Sequence, residues 1–305
     1  MSVLDTLLES DPVISRLTKK YLLNRKSKYS DNGYIARYLL LYDRKTKTWG
    51  QGVYGPKWIS THYTMMELRY MEINPTHPIY HEALETLLTH EWKDHGMYNK
   101  KTHQDMCVVG MLLNLACYGY SKSDKIHEMI DYILDHTMSD GGWNCAWERQ
   151  PIPKISSVHT TLSVLEGLSI YQKNGYTYRI LEIKEAILRG IEVLLSRHLI
   201  FIKDTKNPIH PSMAKATYPP RWKYDYLRAL EFLADIKYPD DLRMSEAIHI
   251  LISQMKGPYM LKGSQISGLI HFPLETSTYG MFNTLRALKV LQAYRYPLYL
   301  KLIAT

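Results

Sequence analysis

Cysteine is scarce in this chain of 305 residues, where it occurs at Cys107, Cys117 and Cys145. Three cysteines are an odd number and too few for a disulfide framework, which excludes a small cross-linked extracellular scaffold. The count is typical of a protein from a reducing compartment, where thiols stay free for metal binding or catalysis.

Long apolar runs are also missing. The longest apolar runs, such as residues 108–116, are only about half as long as the roughly 20 residues that a bilayer crossing needs. The first residues lack a basic segment followed by an apolar one, so no export signal is predicted. We therefore expect a soluble, cytoplasmic protein without a transmembrane segment.

Blocks of like charge are absent, although 38 Lys+Arg against 30 Asp+Glu give a net charge of +8. The first 47 residues are the most cationic stretch, yet acidic residues interrupt them. This surplus is either a solvated basic face or a contact surface for nucleic acid or anionic lipid. We favour the solvated face and expect no nucleic-acid partner. The apolar share of 45% is that of a globular chain and excludes disorder.

Strand-type alternation is nearly absent, whereas helical periodicity recurs. Residues 124–135 place apolar side chains at i, i+3, i+4, i+7 and i+8, which predicts an amphipathic helix. Residues 106–117 and 279–291 are apolar on most faces, which predicts helices enclosed on both sides. Enclosed helices are expected to begin near Ser60, His103, Ser157, Pro219 and Glu275, and amphipathic helices to cover about residues 78–92, 124–137, 179–197 and 241–256.

The expected enclosed helices recur at intervals of 43, 54, 62 and 56 residues, close to the period of helix-pair repeats. An earlier pair is expected in residues 12–42, interrupted at residues 31–33. Five to six such pairs closing into a ring would form an all-α, two-layer α/α barrel. We expect one domain over residues 1–305, in which residues 1–50 are an irregular, basic N-terminal part.

Long loops rich in glycine and tryptophan precede the expected enclosed helices. In a ring of helix pairs these loops would lie at one end, where helix N-termini direct their positive dipole ends into the central cavity. Tryptophans in such loops either plug the end of a barrel or line an apolar ligand cavity. Five of the six tryptophans lie in or beside these loops: Trp49, Trp58, Trp143, Trp147 and Trp222.

Three short segments carry a resemblance to a known superfamily. Residues 133–143 (ILDHTMSDGGW) resemble the helix and Asp-Gly-Gly-Trp repeat of the terpenoid cyclases and protein prenyltransferases, whose fold is an α/α toroid, with degenerate copies at residues 87–96 and 250–259. Asp105-Met-Cys107 and His159-Thr160 resemble the Asp-x-Cys and His-Thr segments of prenyltransferase β subunits. The likeness covers roughly residues 50–295, but only residues 100–170 carry motifs that are specific to the superfamily. It implies a toroid fold and a catalytic zinc held by Asp105, Cys107 and His159.

The chemistry of these three residues is compatible with zinc. Carboxylate, thiolate and imidazole are ordinary zinc ligands, and three protein ligands with an open fourth position make a catalytic site. On a regular helix Asp105 and Cys107 would point apart, so they converge only if Asp105 is the N-cap and Cys107 lies in the first turn. The alternatives are an ordinary cap, a small buried thiol and a hydrogen-bonded histidine. Cys145 is a possible fourth ligand or a masked nucleophile, and Cys117 is expected to pack in the core.

The chain departs from the superfamily in its acidic and phosphate-binding motifs. No residue-by-residue match to the diphosphate clamp of the prenyltransferases is found. Neither Asp-x-Asp-Asp nor Asp-Asp-x-x-Asp occurs. These absences argue against squalene-type cyclisation started by a proton and against magnesium-driven ionisation of a diphosphate.

Further polar residues lie near the expected helix starts. Lys57 and Arg221 are suited to an anionic substrate group, although Arg221 and Asp225 are also spaced as an i,i+4 ion pair. Glu148 and Glu275 would be the paired carboxylates of a glycoside hydrolase if both reached the cavity. The predicted catalytic residues are Cys145, Glu148, Arg221 and Asp225, and the predicted substrate-binding residues are Lys57, Trp58, His62, Trp143, Trp147, Trp222 and Glu275.

The leading functional hypothesis is a zinc-dependent transferase or isomerase of the prenyltransferase or cyclase type. Its partner is expected to be a small apolar, isoprenoid-like substrate in the central cavity, with a peptide or protein substrate as a further possibility. One alternative is a non-catalytic toroid module that binds a peptide or lipid. The other is a carbohydrate-active α/α-barrel hydrolase or lyase.

Overall fold

The computed structural model describes residues 2–99, 102–263 and 266–304. Helices dominate these residues, which confirms the all-α prediction. The helices are α1 (Val3–Leu8), α2 (Pro12–Tyr21), α3 (Tyr34–Leu40), α4 (Thr61–Tyr70), α5 (Pro78–Glu91), α6 (Met106–Tyr118), α7 (Lys125–Asp135), α8 (Val158–Lys173), α9 (Ile180–Leu195), α10 (Tyr226–Asp235), α11 (Ser245–Gln254), α12 (Met281–Tyr294) and α13 (Tyr296–Ile303).

Two small hairpins accompany the helices. Strands β1 (Met97–Asn99) and β2 (Thr102–His103) pair antiparallel, as do β3 (Met255–Lys256) and β4 (Tyr259–Met260). Residues 100 and 101, in the loop expected to precede α6, lie outside the described residues. None of the helices in the described ranges combines the length and the apolar character that crossing a bilayer requires.

Residues 1–50, expected to be irregular apart from an interrupted helix pair in residues 12–42, contain α1, α2 and α3. Helices α2 and α3 correspond to the expected pair, and α1 was not expected. Capping explains the first two of these short helices. The Ser2 side chain accepts a hydrogen bond from the Asp5 N–H while the Asp5 carboxylate accepts one from the Ser2 N–H. Asp11 caps α2, and Pro12 takes the first helical position, where no N–H is needed.

The enclosed helices of the middle of the chain begin where the periodicity predicts. Helices α4, α6 and α8 start at Thr61, Met106 and Val158, one to three residues after the expected positions. Helices α10 and α12 start later than expected, at Tyr226 and Met281. For α10 the delay has a local cause, since Asp225 is the N-cap of that helix and its carboxylate accepts a hydrogen bond from the Arg228 N–H.

The chain divides into two compact units. The first unit comprises residues 1–40, 70–73 and 196–305, and the second comprises residues 41–69 and 74–195. In the second unit α6 and α8 approach so closely that a Cβ on Gly110 would lie 2.8 Å from the Ser163 backbone, and one on Gly167 would lie 2.5 Å from the Gly110 carbonyl oxygen. In the first unit α10 packs on α12. The prediction of a single domain stays a prediction.

Candidate functional site

The loop before α4 folds back onto the first turn of that helix. The N–H of Thr61 donates to the carbonyl of Gly52 (3.1 Å), and the N–H of His62 donates to the carbonyl of Val53 (2.9 Å). These loop carbonyls satisfy helical N–H groups that have no partner within the helix. The loop therefore holds Lys57 and Trp58, two predicted substrate-binding residues, beside the start of α4.

His62 forms a buried pair with Glu91, the last residue of α5. Its Nδ1 lies 2.7 Å from Glu91 Oε2, and the two side chains are 0% and 4% exposed. Neither His62 Nε2 nor Glu91 Oε1 has a hydrogen-bond partner among the described residues. With the Nδ1 proton donated to the carboxylate, a neutral His62 ring keeps its lone pair on Nε2. A buried polar atom left without a partner is costly, which marks this pair as a candidate for function.

Aromatic rings surround this pair. The rings of Tyr54 and Tyr63 lie 5.3 Å and 5.1 Å from the His62 ring, and Trp58 stands edge-on to Tyr63 at 4.7 Å. The hydroxyls of Tyr54 and Tyr63 are hydrogen-bonded at 3.0 Å. Burial raises the pKa of the Tyr54 phenol far above its usual range, so this hydroxyl stays neutral.

The same three rings hold a cation. The Lys57 Nζ lies 5.3 Å, 5.7 Å and 5.8 Å from the ring centroids of Tyr54, Trp58 and Tyr63. Such distances allow the ring faces to attract positive charge. We call Tyr54, Trp58 and Tyr63 the aromatic cage. Sequence analysis predicted Trp58 but missed the two tyrosines, although both lie within five residues of Trp58.

Two of the three cysteines meet at the N-terminus of α6. The Cys107 N–H donates to Cys145 Sγ at 3.2 Å, and Cys145 Sγ lies 3.3 Å from Thr160 Oγ1. The hydrogen bond between the two thiols raises the pKa of Cys107 and lowers that of Cys145. Cys117 is buried further along α6, as expected for a packing residue.

The residues predicted as zinc ligands occupy the expected helical positions. Asp105 is the N-cap of α6, Cys107 lies in its first turn, and His159 is the second residue of α8. The Asp105 carboxylate, however, is paired with Arg149 at 3.2 Å. Within the described ranges no group of three or more His, Cys, Asp or Glu side chains is positioned to hold a metal ion. The arrangement therefore does not support the predicted zinc site.

Glu148 is held by His103 in the same unit. Its carboxylate accepts hydrogen bonds from the His103 N–H (2.8 Å) and from Nδ1 (2.6 Å). Burial raises the pKa of Glu148, but these hydrogen bonds outweigh burial and the net shift is downward. A carboxyl group with a lowered pKa is ionised near neutral pH and is poorly suited to the general acid of a glycoside hydrolase.

The two tryptophans of the loop before α8 differ. Trp143 is fully buried and donates from Nε1 to the Ile133 carbonyl (2.8 Å), which is a packing arrangement. Trp147 donates from Nε1 to the Tyr132 hydroxyl (3.1 Å), and its ring lies 3.8 Å from that of His136. Trp147 also lines an open groove of about 480 Å³.

In the first unit, the predicted catalytic residues Arg221 and Asp225 lie outside the α-helix. Arg221 has a positive φ of 53° and α10 begins only at Tyr226, so the expected helical i,i+4 relation does not arise. Asp225 accepts hydrogen bonds from the N–H groups of Arg228 and Thr217. Burial raises the pKa of Asp225. Trp222 lies half-buried in the same loop.

Glu275, predicted to bind substrate, binds the first turn of α12. Its carboxylate oxygens accept hydrogen bonds from the N–H groups of Met281 (2.8 Å) and Asn283 (3.2 Å). Burial outweighs these hydrogen bonds and raises the pKa of Glu275 to about 7. The two candidate hydrolase carboxylates, Glu148 and Glu275, are thus each engaged by local donors.

Sequence analysis missed a buried ion network centred on Arg286 of α12. Arg286 Nε donates to Glu231 at 2.7 Å, and the Lys289 Nζ lies 3.3 Å from the same carboxylate. Burial raises the pKa of Glu231, but the two cations outweigh burial and hold it at about 2. Arg286 Nη2 has no hydrogen-bond partner among the described residues.

Comparison with known proteins gives structural matches alone. No family model and no curated protein matches the sequence. The structure is similar to that of a variant of MstE, a type II terpene cyclase from Scytonema, in complex with geranylgeranyl dihydroxybenzoate, with a TM-score of 0.50 and 13% identity over 96% of this chain and 77% of that chain. A second variant of the same cyclase, in complex with the same compound, gives a TM-score of 0.38 and 15% identity over 92% of this chain and 98% of that chain.

The first of these likenesses assigns the fold. The chain has a terpenoid cyclase-like, all-α fold of the α/α-toroid class, as the sequence resemblance predicted. At 13% identity the likeness extends to the fold alone, and a shared fold does not carry a shared reaction.

Proposed function

We propose that the protein is a cyclase-like enzyme that acts on an apolar, isoprenoid-like substrate. The observation that carries this proposal is the aromatic cage beside the buried His62–Glu91 pair. The cyclase-like fold adds support, since its structural neighbour binds a geranylgeranyl compound. Cyclisation of isoprenoid chains passes through cationic states, and ring faces that attract the Lys57 ammonium would also attract such a state.

In this proposal His62 is the general acid–base group. Glu91 holds the imidazole through Nδ1 and favours the tautomer in which Nε2 carries the lone pair. A proton-started cyclisation would then use this imidazole in place of the missing Asp-x-Asp-Asp motif. The protonated ring gives its Nε2 proton to a substrate double bond, and the Nε2 lone pair left behind takes a proton back when the final double bond forms, so no net proton is consumed. The hydrophobic surroundings exclude water from the cationic stage. General acid–base groups of this kind contribute about 10²–10⁴-fold to a rate.

The test is an activity assay with conservative variants. The purified chain is incubated with geranylgeranyl dihydroxybenzoate or a prenyl alcohol of similar length, and products are separated by chromatography and mass spectrometry. We expect an isomer of unchanged mass with fewer double bonds. His62→Asn keeps a donor for Glu91 but lacks the Nε2 position, so turnover should fall by about 10²-fold or more.

The control is His127→Asn. His127 is an exposed histidine of α7 in the same unit, and its ring stacks on that of Tyr178. It should leave turnover unchanged. Turnover that survives His62→Asn would overturn the role of Nε2. Tight binding of the prenyl compound without any product would favour the alternative of a non-catalytic binding module.

Zinc dependence stays a prediction of the sequence resemblance, and no step proposed above depends on it. Its test is the metal content of protein purified without chelator. About one zinc per chain, lost in a folded Cys107→Ala variant, would support a zinc site, whereas metal-free protein would contradict it.

A cytoplasmic location likewise stays a prediction, which fractionation of the source cells would check.

A further inference from the structure

Cys107 and Cys145 are 38 residues apart in the chain but are adjacent in the second unit. Their thiols share a hydrogen bond, and the Cys107 N–H donates to Cys145 Sγ at 3.2 Å. Cys107 lies in the first turn of α6, whereas Cys145 lies in the loop before α8. Because the Cys145 sulfur lies against the Cys107 backbone, a small movement of the two side chains would bring the sulfur atoms to bonding distance.

The surroundings fix Cys145 and leave it reachable. The Cys107 N–H and the Thr160 hydroxyl both face its sulfur, and the Thr160 oxygen lies 3.3 Å away. Both cysteines are partly exposed, so a small reagent can reach them, whereas Cys117 is buried. The chain thus contains a reactive pair together with an internal control of the same residue type.

We propose that Cys107 and Cys145 form an oxidisable dithiol site, which a hydroperoxide converts into a reversible intramolecular disulfide. This proposal is independent of the function proposed above, because it concerns the thiols alone and holds whether or not the chain is an enzyme.

With hydrogen peroxide the reaction has two steps. The Cys145 sulfur attacks one peroxide oxygen, the O–O bond breaks, and the departing hydroxide takes the thiol proton to form water. The Cys107 sulfur then attacks the resulting sulfenic acid, the S–O bond breaks, and the second thiol proton leaves in a second water. The two thiols lose two electrons and two protons, and the peroxide is reduced to two waters.

The disulfide would tie the loop before α8 to the first turn of α6. This loop also carries Trp147 and Glu148, which contact Tyr132 and His103. Oxidation would therefore restrain the wall of the groove that Trp147 lines. Closing a loop of this length in the unfolded chain also stabilises the folded state.

The experiment uses the full chain, reduced, treated with a chelator to remove adventitious metal, and exposed to hydrogen peroxide in slight excess. Free thiols are counted in denaturant, and the intact mass and a peptide map are measured. We expect the thiol count to fall from three to one, the mass to fall by two hydrogens, and the map to join the peptides of residues 107 and 145. Dithiothreitol should restore all three thiols.

The matched control is Cys117→Ala, in which the same two thiols should still be lost. Cys107→Ser and Cys145→Ser should each block the internal cross-link, and the remaining partner should gain oxygen instead. A wild-type chain that gains oxygen without a cross-link, or in which Cys117 reacts as readily as the pair, would overturn the proposal. The wild-type peptide map decides the question even if a serine variant fails to fold.

Discussion

At the scale of single residues, the chain buries several ionisable groups wholly or in large part, and their partners differ in kind. His62 and Glu91 face each other and leave one polar atom each without a partner in the described chain. Glu231 faces two cations, and Glu275 faces backbone N–H groups. For Glu231 and Glu275 burial disfavours the charged form, so the partners decide in which direction the pKa moves.

Glu275 gives a pH-dependence with a definite sign. Its pKa is about 7 in the folded protein against 4.5 for the ordinary side chain, so the folded state binds the proton more tightly. Its contribution to the free energy of unfolding is therefore present below pH 4.5 and is lost as the pH rises through 7. The shift corresponds to roughly 3 kcal/mol.

We expect the Glu275→Gln variant not to show this decrease in the free energy of unfolding between pH 4.5 and pH 7. The measurement is urea unfolding across that pH range. Glu246→Gln, at an exposed glutamate of α11, is the control and should keep the slope of the wild type. Parallel slopes in wild type and Glu275→Gln would show that Glu275 titrates at its ordinary pKa.

At the scale of elements, the contact of α6 with α8 depends on two glycines. A Cβ on Gly110 would meet the backbone of α8 at 2.8 Å, and backbone cannot turn aside as a side chain can. This contact also fixes the distance between the helix N-termini that carry Cys107 and Thr160.

Gly110→Ala tests this packing. Overpacking costs about 1–3 kcal/mol, whereas alanine gains about 1 kcal/mol in helix propensity. We expect a net loss of up to about 2 kcal/mol in the free energy of unfolding, measured by denaturant titration. The control is Gly55→Ala, where the added Cβ meets nothing within 4 Å. A stabilised Gly110→Ala variant would contradict the close helix contact.

At the scale of the whole molecule, acid unfolding reports on the carboxylates whose pKa the fold lowers. Glu231 has the strongest partners, Arg286 and Lys289, and a pKa of about 2. Because this pKa lies below the ordinary 4.5, its stabilising contribution is present above pH 4.5 and is lost as the pH falls towards 2.

Glu231→Gln should therefore destabilise the protein at pH 7 and matter less in acid. We expect a loss of about 2 kcal/mol at pH 7, below the 3–5 kcal/mol typical of a fully buried pair, because the Glu231 side chain is 23% exposed. The measurement is the difference in unfolding free energy between variant and wild type from pH 7 to pH 3. A difference that stays constant would show that Arg286 and Lys289 do not lower the pKa of Glu231.

The sequence by itself determined the helices and where most of them begin. Periodicity and capping act over a few residues, so Thr61, Met106 and Val158 could be predicted as helix starts within three residues, and Asp105 as the N-cap of α6. The repeat of enclosed and covering helices, with the Asp-Gly-Gly-Trp segment, also indicated the terpenoid cyclase-like fold.

Only the tertiary structure decided which side chains meet. Glu91 ends a helix 29 residues after His62, and Cys145 lies 38 residues after Cys107, so no local pattern links either pair. The same holds for Asp105, whose carboxylate faces Arg149 in the fold although the superfamily resemblance implied that it binds a metal. Spacing along the chain fixes the direction of a side chain within its own helix, whereas its partners depend on how loops fold back and how closely helices pack.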